Sequence, residues 1–222
     1  EIVRPAMRNS VFSTTLVQRL DATTLRLLGV SDVADAVKRM AGVYVRDYGG
    51  IGGMKTVSLH SLGAAHTSVV YDGVPLSNTQ AGQIDIGRYS ADNLDNVSMS
   101  MGDQHDIMST ASQYASAGVL SISSERPRFD KGRNHALRFR AEGGSFRFAT
   151  PSLLWWQRLG TKTSLSVFGK FTRADGHYPF TLVNANTKPR ERRLHTDLNS
   201  WQGEANLHHA FADGGRLAAK LY

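Results

Sequence analysis

Hydrophobic and polar positions alternate in two different styles along this chain. Over residues 1–130 the apolar positions come in short bursts. Asp21 is placed to cap a helix that runs through Leu28, with Gly29 as its stop. Ser31 is read as the cap of a second helix, in which Val33, Val37 and Met40 share one face and Gly42 ends the run. Val43-Tyr44-Val45 reads as a strand. Residues 55–60 alternate, with Val57 and Leu59 inward and Thr56, Ser58 and His60 on the other face. Residues 66–71 form another strand, ended by the turn dipeptide Asp72-Gly73. Val97, Met99 and Met101 alternate with Ser98 and Ser100, and 118–123 is a last short strand. The pattern predicts an α+β domain with four or five short strands.

After a polar, Pro- and Gly-punctuated connector at 123–134, the chain reads as strand and turn only. Leu137, Phe139 and Ala141 alternate with Arg138, Arg140 and Glu142. Gly143-Gly144-Ser145 turns the chain, a strand covers roughly 146–158, and 159–162 turns it again. Leu165, Val167, Gly169 and Phe171 alternate with Ser164, Ser166, Phe168 and Lys170. Residues 174–196 read as a long polar loop. Trp201, Gly203, Ala205 and Leu207 then alternate with Gln202, Glu204, Asn206 and His208, and after a turn at 212–215 a fifth strand reaches Tyr222. Strands of about 10 residues with one apolar and one charged face are the dyad pattern of a transmembrane β-barrel. Trp155, Trp156 and Trp201 fall near strand ends, as an aromatic girdle would. A soluble antiparallel meander with one wet face gives the same pattern, so the residues alone leave both readings open.

Charge sharpens the division. The chain has 222 residues and a formal charge of +7. Residues 1–130 carry 11 Lys+Arg against 13 Asp+Glu, a net of −2, and residues 131–222 carry 15 against 6, a net of +9. Basicity confined to the second part argues against a protein coated in nucleic acid. Cysteine is absent, which excludes disulfides, thiolate metal sites and a cysteine nucleophile. The glycine-rich run 47–56 is not a phosphate loop, because Met54 precedes Lys55 and a strand follows. No His-Glu-x-x-His, paired-histidine or Gly-x-Ser-x-Gly motif occurs, so neither an enzyme nor a cofactor is expected. His60 and His66 could meet across strands, but core or surface roles suit them better. The basic run 188–193 reads either as a solvated loop or as a contact for anionic lipid headgroups or an anionic ligand.

Four segments, in order, resemble the TonB-dependent outer-membrane receptors. Residues 30–45 look like the helix and strand of the family's plug domain, and 47–59 resemble its glycine-rich loop and following strand. Val69-Val70-Tyr71-Asp72-Gly73-Val74-Pro75-Leu76 is similar to its Asp-Gly segment. Residues 114–122 resemble the end of its plug. One departure is His60-Ser61, where many members have Arg-Gly. The resemblance implies an α+β plug domain over 1–130, followed over 131–222 by about the first five antiparallel strands of a transmembrane β-barrel. Five strands cannot close a barrel, so the chain is expected to be part of a larger one. It also implies a Gram-negative outer-membrane transporter that imports a scarce nutrient, of cobalamin or iron-siderophore type, with energy supplied by TonB. Glu1-Ile2-Val3 is a poor Ton box, which is expected upstream of Glu1. Residues 47–56 together with 78–87 resemble the cobalamin-receptor-like branch. The expected partners are TonB, outer-membrane lipid and a small nutrient ligand, with a surface-exposed lipoprotein as a further candidate and no nucleic acid. Tyr48, Gly49, Gly50, Gly52, Gly53, Asn78, Gln80 and Gln83 are the expected ligand-binding residues, on loops at the plug apex. The rival from another class is a soluble β-rich binding or adhesion module.

Overall fold

The computed structural model describes residues 16–78, 82–102, 109–130, 132–183, 189–194 and 196–222. The chain forms two compact units, one drawn from Glu1–Tyr48 and Gly53–Glu125, the other from Gly49–Gly52 and Arg126–Tyr222.

The first unit is built on strands β1 (Leu16–Asp21), β2 (Val43–Asp47), β3 (Lys55–Leu59), β4 (Thr67–Tyr71), β5 (Val74–Leu76), β6 (Leu94–Met101) and β7 (Gly118–Ser124). Its helices are short: α1 (Ala22–Leu27), α2 (Val33–Val37) and α3 (Ala111–Tyr114). The main sheet runs β1-β6-β7-β4-β5, and β2 and β3 form a separate ribbon. β4 and β7 are parallel, while the other pairs in the sheet are antiparallel. The alternating Val97 and Met99 of β6 and Leu120 and Ile122 of β7 point into one core, closed by Val33, Ala34, Ala36 and Val37 of α2 and by Val57 and Leu59 of β3. The turn at Asp72 and Gly73 has both residues at positive φ, 50° and 85°, as a two-residue hairpin of this twist requires. The Asp72 carboxylate then accepts from both the backbone N–H and the hydroxyl of Ser124, at 2.7 Å each, and ties the turn to the end of β7.

Three expectations change here. α2 is capped by Asp32, whose Oδ1 accepts the Asp35 N–H at 2.8 Å, and the Ser31 hydroxyl instead bonds the Asp35 carboxylate. β3 has no wet face, since Thr56 and Ser58 are buried along with Val57 and Leu59. β1 and β5 add two edge strands that the periodicity did not reveal.

The second unit is a meander of β8 (His135–Gly144), β9 (Phe148–Arg158), β10 (Thr163–Ala174), β13 (Leu198–Ala210) and β14 (Arg216–Leu221), all antiparallel. The loop expected at 174–196 contains a small ribbon, β11 (Pro179–Thr181) with β12 (Arg190–Arg192). The connections at one end are tight. At the other, the turn carrying Phe146 and Arg147 sits under the long loop. Phe146 stacks at 5.7 Å from Tyr178, Asp175 N–H reaches the Phe146 carbonyl at 2.8 Å, and Arg193 bonds the Tyr178 hydroxyl at 2.9 Å.

The two faces of this sheet are sharply unlike. Leu137 and Phe139 are each 65% exposed and Trp201 is 80% exposed, whereas Phe168 is 2% and Glu204 3% exposed. The covered face is mixed. Leu154, Trp156 and Phe168 form a small cluster, Arg138 lies 5.0 Å over the Trp156 ring, and Glu204 accepts from Lys220 and Asn206 at 2.8 Å each. Trp156 therefore does not belong with Trp155 and Trp201 on the outer face, because neighbours in a strand point opposite ways.

Candidate functional site

Lys55 opens β3 and is the junction of the two loops singled out by sequence. Its backbone N–H donates to the Asp85 carboxylate at 2.9 Å, and the same Asp85 oxygen accepts the Gly87 N–H at 3.0 Å. Its Nζ reaches Asp32 Oδ2 at 2.6 Å. The Asp32 carboxylate therefore holds Lys55 with one oxygen and the first turn of α2 with the other. A side chain at Gly87 would meet the Lys55 stem, with Lys55 Cδ only 3.0 Å from the position of a Cβ, so the lysine is packed along bare backbone. Burial pulls the Lys55 ammonium toward neutrality, but the hydrogen bond it donates to Asp32 and the charges of Asp32, Asp35 and Asp47 outweigh it and hold its pKa above the ordinary lysine value. This cluster was not among the residues the sequence singled out. A lone cation between Met54 and Thr56 at the start of a strand was the one signal available.

The loop from Tyr48 to Met54 is closed by the Tyr48 N–H on the Met54 carbonyl at 3.0 Å, beyond the last ribbon pair, Asp47 with Lys55. Tyr48 is exposed, and Arg46 stands 5.6 Å from its ring centre. Gly49, Gly50, Gly52 and Gly53 complete the loop. Gly52 has φ +79°, a conformation that favours glycine, and a Cβ there would fall 2.7 Å from Leu198 Cδ2 and push that side chain aside.

The second loop leaves β5. Asn78 is exposed and its carbonyl accepts the Gly82 N–H at 2.8 Å, while Gln83 is half-buried. Gln80 lies outside the described residues. The second loop ends at Asp85, so the Lys55–Asp85 bond joins the base of one loop to the base of the other. Tyr48, Asn78 and Gln83 thus stand on loops whose roots are fixed to each other. Among the described residues no group of His, Asp and Glu is arranged to hold a metal ion.

His60 and Ser61 follow β3 with φ of 47° and 62°, a left-handed pair. Glycine meets that demand more cheaply than Ser61, which is a backbone reason for the family's Arg-Gly at this place. The His60 N–H donates to the Gly42 carbonyl at 2.9 Å, so the position serves the turn.

Residues 10–118 match the family described as TonB-dependent Receptor Plug Domain. Solved structures with the same fold include the copper transporter OprC, at 19% identity and a TM-score of 0.64 over 89% of this chain and 28% of that one. The ferric-catecholate import receptor Fiu from E. coli K12, in its open form, matches at 14% identity and TM-score 0.62 over 94% of this chain and 26% of that one. The FrpB iron transporter from Neisseria meningitidis matches at 13% identity and TM-score 0.68 over 94% of this chain and 31% of that one. The chain thus spans about a quarter to a third of the length of these structures. Residues 10–118 carry the plug of the TonB-dependent receptors, proteins of the Gram-negative outer membrane, and the chain has the fold of the corresponding part of these structures.

Proposed function

We propose that this chain supplies the plug, over 1–130, and the first barrel strands, over 131–222, of an active importer of a small metal-complex nutrient, energised through TonB. The reading is supported by the family match and by the cargo named for the similar structures, copper for OprC and ferric catecholate for Fiu. Iron-siderophore cargo lies in that class, and cobalamin, suggested by the resemblance of residues 47–56 together with 78–87, is a metal complex of the same general kind.

The observation that carries the site is the Lys55 junction. It ties the start of β3, where the 48–54 loop ends, to Asp32 through a part-buried ion pair and to Asp85, where the second loop ends, through one carboxylate. Binding residues commonly sit on such loops. Tyr48 would stack on the ligand, the amides of Asn78, Gln80 and Gln83 would hydrogen-bond it, and the glycines at 49, 50, 52 and 53 would let its bulk approach the backbone.

The test is calorimetry on the full-length receptor that carries this chain, with a ferric catecholate, a copper chelate and cobalamin as separate titrants. Replacing Tyr48, Asn78, Gln80 and Gln83 by Ala together removes about three hydrogen bonds of about 1 kcal/mol each and should weaken binding of the true cargo about a hundredfold. Unchanged affinity for a titrant that does bind would show that the loops do not carry the site.

A further inference from the structure

On the exposed face of the second sheet, Phe171 and Trp201 are direct partners of β10 and β13, their ring centres 4.3 Å apart. At the opposite end of β13, the rings of His209 and Phe211 meet edge to face at 4.7 Å. From Trp201 to Phe211 the strand advances about 33 Å at about 3.3 Å per residue. Tilted by about 40°, that is a height of about 25 Å, the apolar band of an outer-membrane barrel. The two aromatic pairs thus mark the two edges of such a band.

The next residues on the same face beyond Phe171 and Trp201 are Arg173 and Asn199, again direct partners. Two residues of a tilted strand rise about 5 Å, and the headgroup layer of a bilayer is about 5–8 Å deep on each side. Arg173 is exposed and makes no ion pair or side-chain hydrogen bond among the described residues. It stands at headgroup height on the outside of the sheet. The loop that begins after Ala174 carries two more exposed arginines. Arg190 and Arg192, one residue apart in β12, share a face of the small ribbon, opposite Thr181 and Pro179. Both are exposed, and neither is paired among the described residues. The other arginines at this end are committed, Arg147 to Asp175 and Arg193 to Tyr178.

We infer that Arg173, Arg190 and Arg192 form a cationic collar that docks the phosphate groups of outer-leaflet glycolipid, just outside the Phe171–Trp201 pair. Guanidinium suits this ligand, since it stays charged at every relevant pH and forks onto two phosphate oxygens at once. The acyl chains of the same lipid would then lie along Phe171, Val167 and Leu165. The collar rests on the membrane reading of β8–β10 and β13.

The experiment uses the full-length receptor that carries this chain, in detergent, titrated with a bisphosphorylated glucosamine lipid and with its dephosphorylated form, and read by native mass spectrometry. The phosphorylated form should be retained preferentially. Arg173→Gln should lower its retention about fivefold, and Arg173→Gln with Arg190→Gln and Arg192→Gln about a hundredfold, while Arg173→Lys, which keeps the charge and loses the fork, falls between wild type and Arg173→Gln. Equal retention of the two lipids, an unaffected triple variant, or displacement of the lipid by millimolar inorganic phosphate would overturn the collar. A nitroxide at Val167 tells the two failures apart. A label that meets lipid while retention is unchanged defeats the collar alone, and a label that meets water defeats the membrane strands and the collar with them.

Discussion

Leu120 and Val97 of the first unit are sealed from solvent, whereas Leu137, Phe139 and Trp201 of the second are turned out into it. Both units are built from period-two strands, and their apolar residues have opposite destinations. In the plug the sheet closes over α2 and β3, and the driving force is removal of apolar surface from water. In the meander Leu137, Phe139, Val167 and Trp201 are left on the exposed face, while Ser152, Ser166, Glu204 and Asn206 are covered beside the small Leu154–Trp156–Phe168 cluster. An exposed band of this size is a liability in water and an asset in lipid. The same alternation therefore encodes two solvents, and what distinguishes them is which set of residues is left uncovered.

The largest effect that would break this contrast is in the plug core. Leu120→Ala should cost about 2–5 kcal/mol, seen as faster hydrogen exchange of the β6 and β7 amides, while Leu137→Ala in the outer band leaves a gap that lipid fills and costs far less. Protection that falls equally for both would mean that the two faces are not different in kind. Next comes Val167→Arg, halfway along β10 on the outer face, which should destabilise the barrel in vesicles by about 2–4 kcal/mol. A surface of a soluble module would register almost nothing.

Smaller is the Lys55 junction. Lys55→Met strands the Asp32 carboxylate, whose side chain is 16% exposed, and should cost about 2 kcal/mol, discounted from the value for a fully buried pair. Because the folded-state pKa of Lys55 lies above its ordinary 10.5, its contribution is complete below that value and fades as pH rises through the folded one. The gap between wild type and Lys55→Met should stay constant to about pH 10 and then close. A gap already closing at neutral pH would contradict the ion pair. The smallest effect is at Asp21, whose exposed carboxylate is held below the ordinary 3.8 by hydrogen bonds from the Thr24 side chain and then from the Thr24 N–H. Asp21→Asn should destabilise α1 slightly near neutrality, and the difference should vanish as pH falls below 3.8.

These regions also differ in how readily they could be read from residues alone. The strands β8, β9, β10 and β13 were legible because each has one face that is apolar through its middle, and the resemblance over 30–59 located the plug. β1 was missed because Gln18 interrupts Leu16 and Leu20 on one face and Val17 shares the other with Arg19 and Asp21 at a sheet edge, and β5 because its Pro75 argues against a strand except at an edge, which is where it lies. The expected wet face of β3 failed because Thr56 and Ser58 are small enough to be covered, a tertiary outcome that periodicity cannot foresee. At the candidate site the loops were legible from glycine and amide content. Their common root was not, because the Lys55–Asp32 and Lys55–Asp85 contacts join residues 23 and 30 positions apart.

The account stands or falls on which face of the meander meets lipid. Nitroxide labels at Val167 and Ser166, neighbours on β10 that point to opposite faces, can be placed one at a time in the full-length receptor in vesicles. Relaxation by oxygen, which partitions into lipid, and by a water-soluble nickel chelate then reports the surroundings of each. The account predicts that Val167 responds to oxygen and resists nickel, and that Ser166 does not respond to oxygen. A Val167 label relaxed by nickel, with Ser166 relaxed by oxygen, would contradict it.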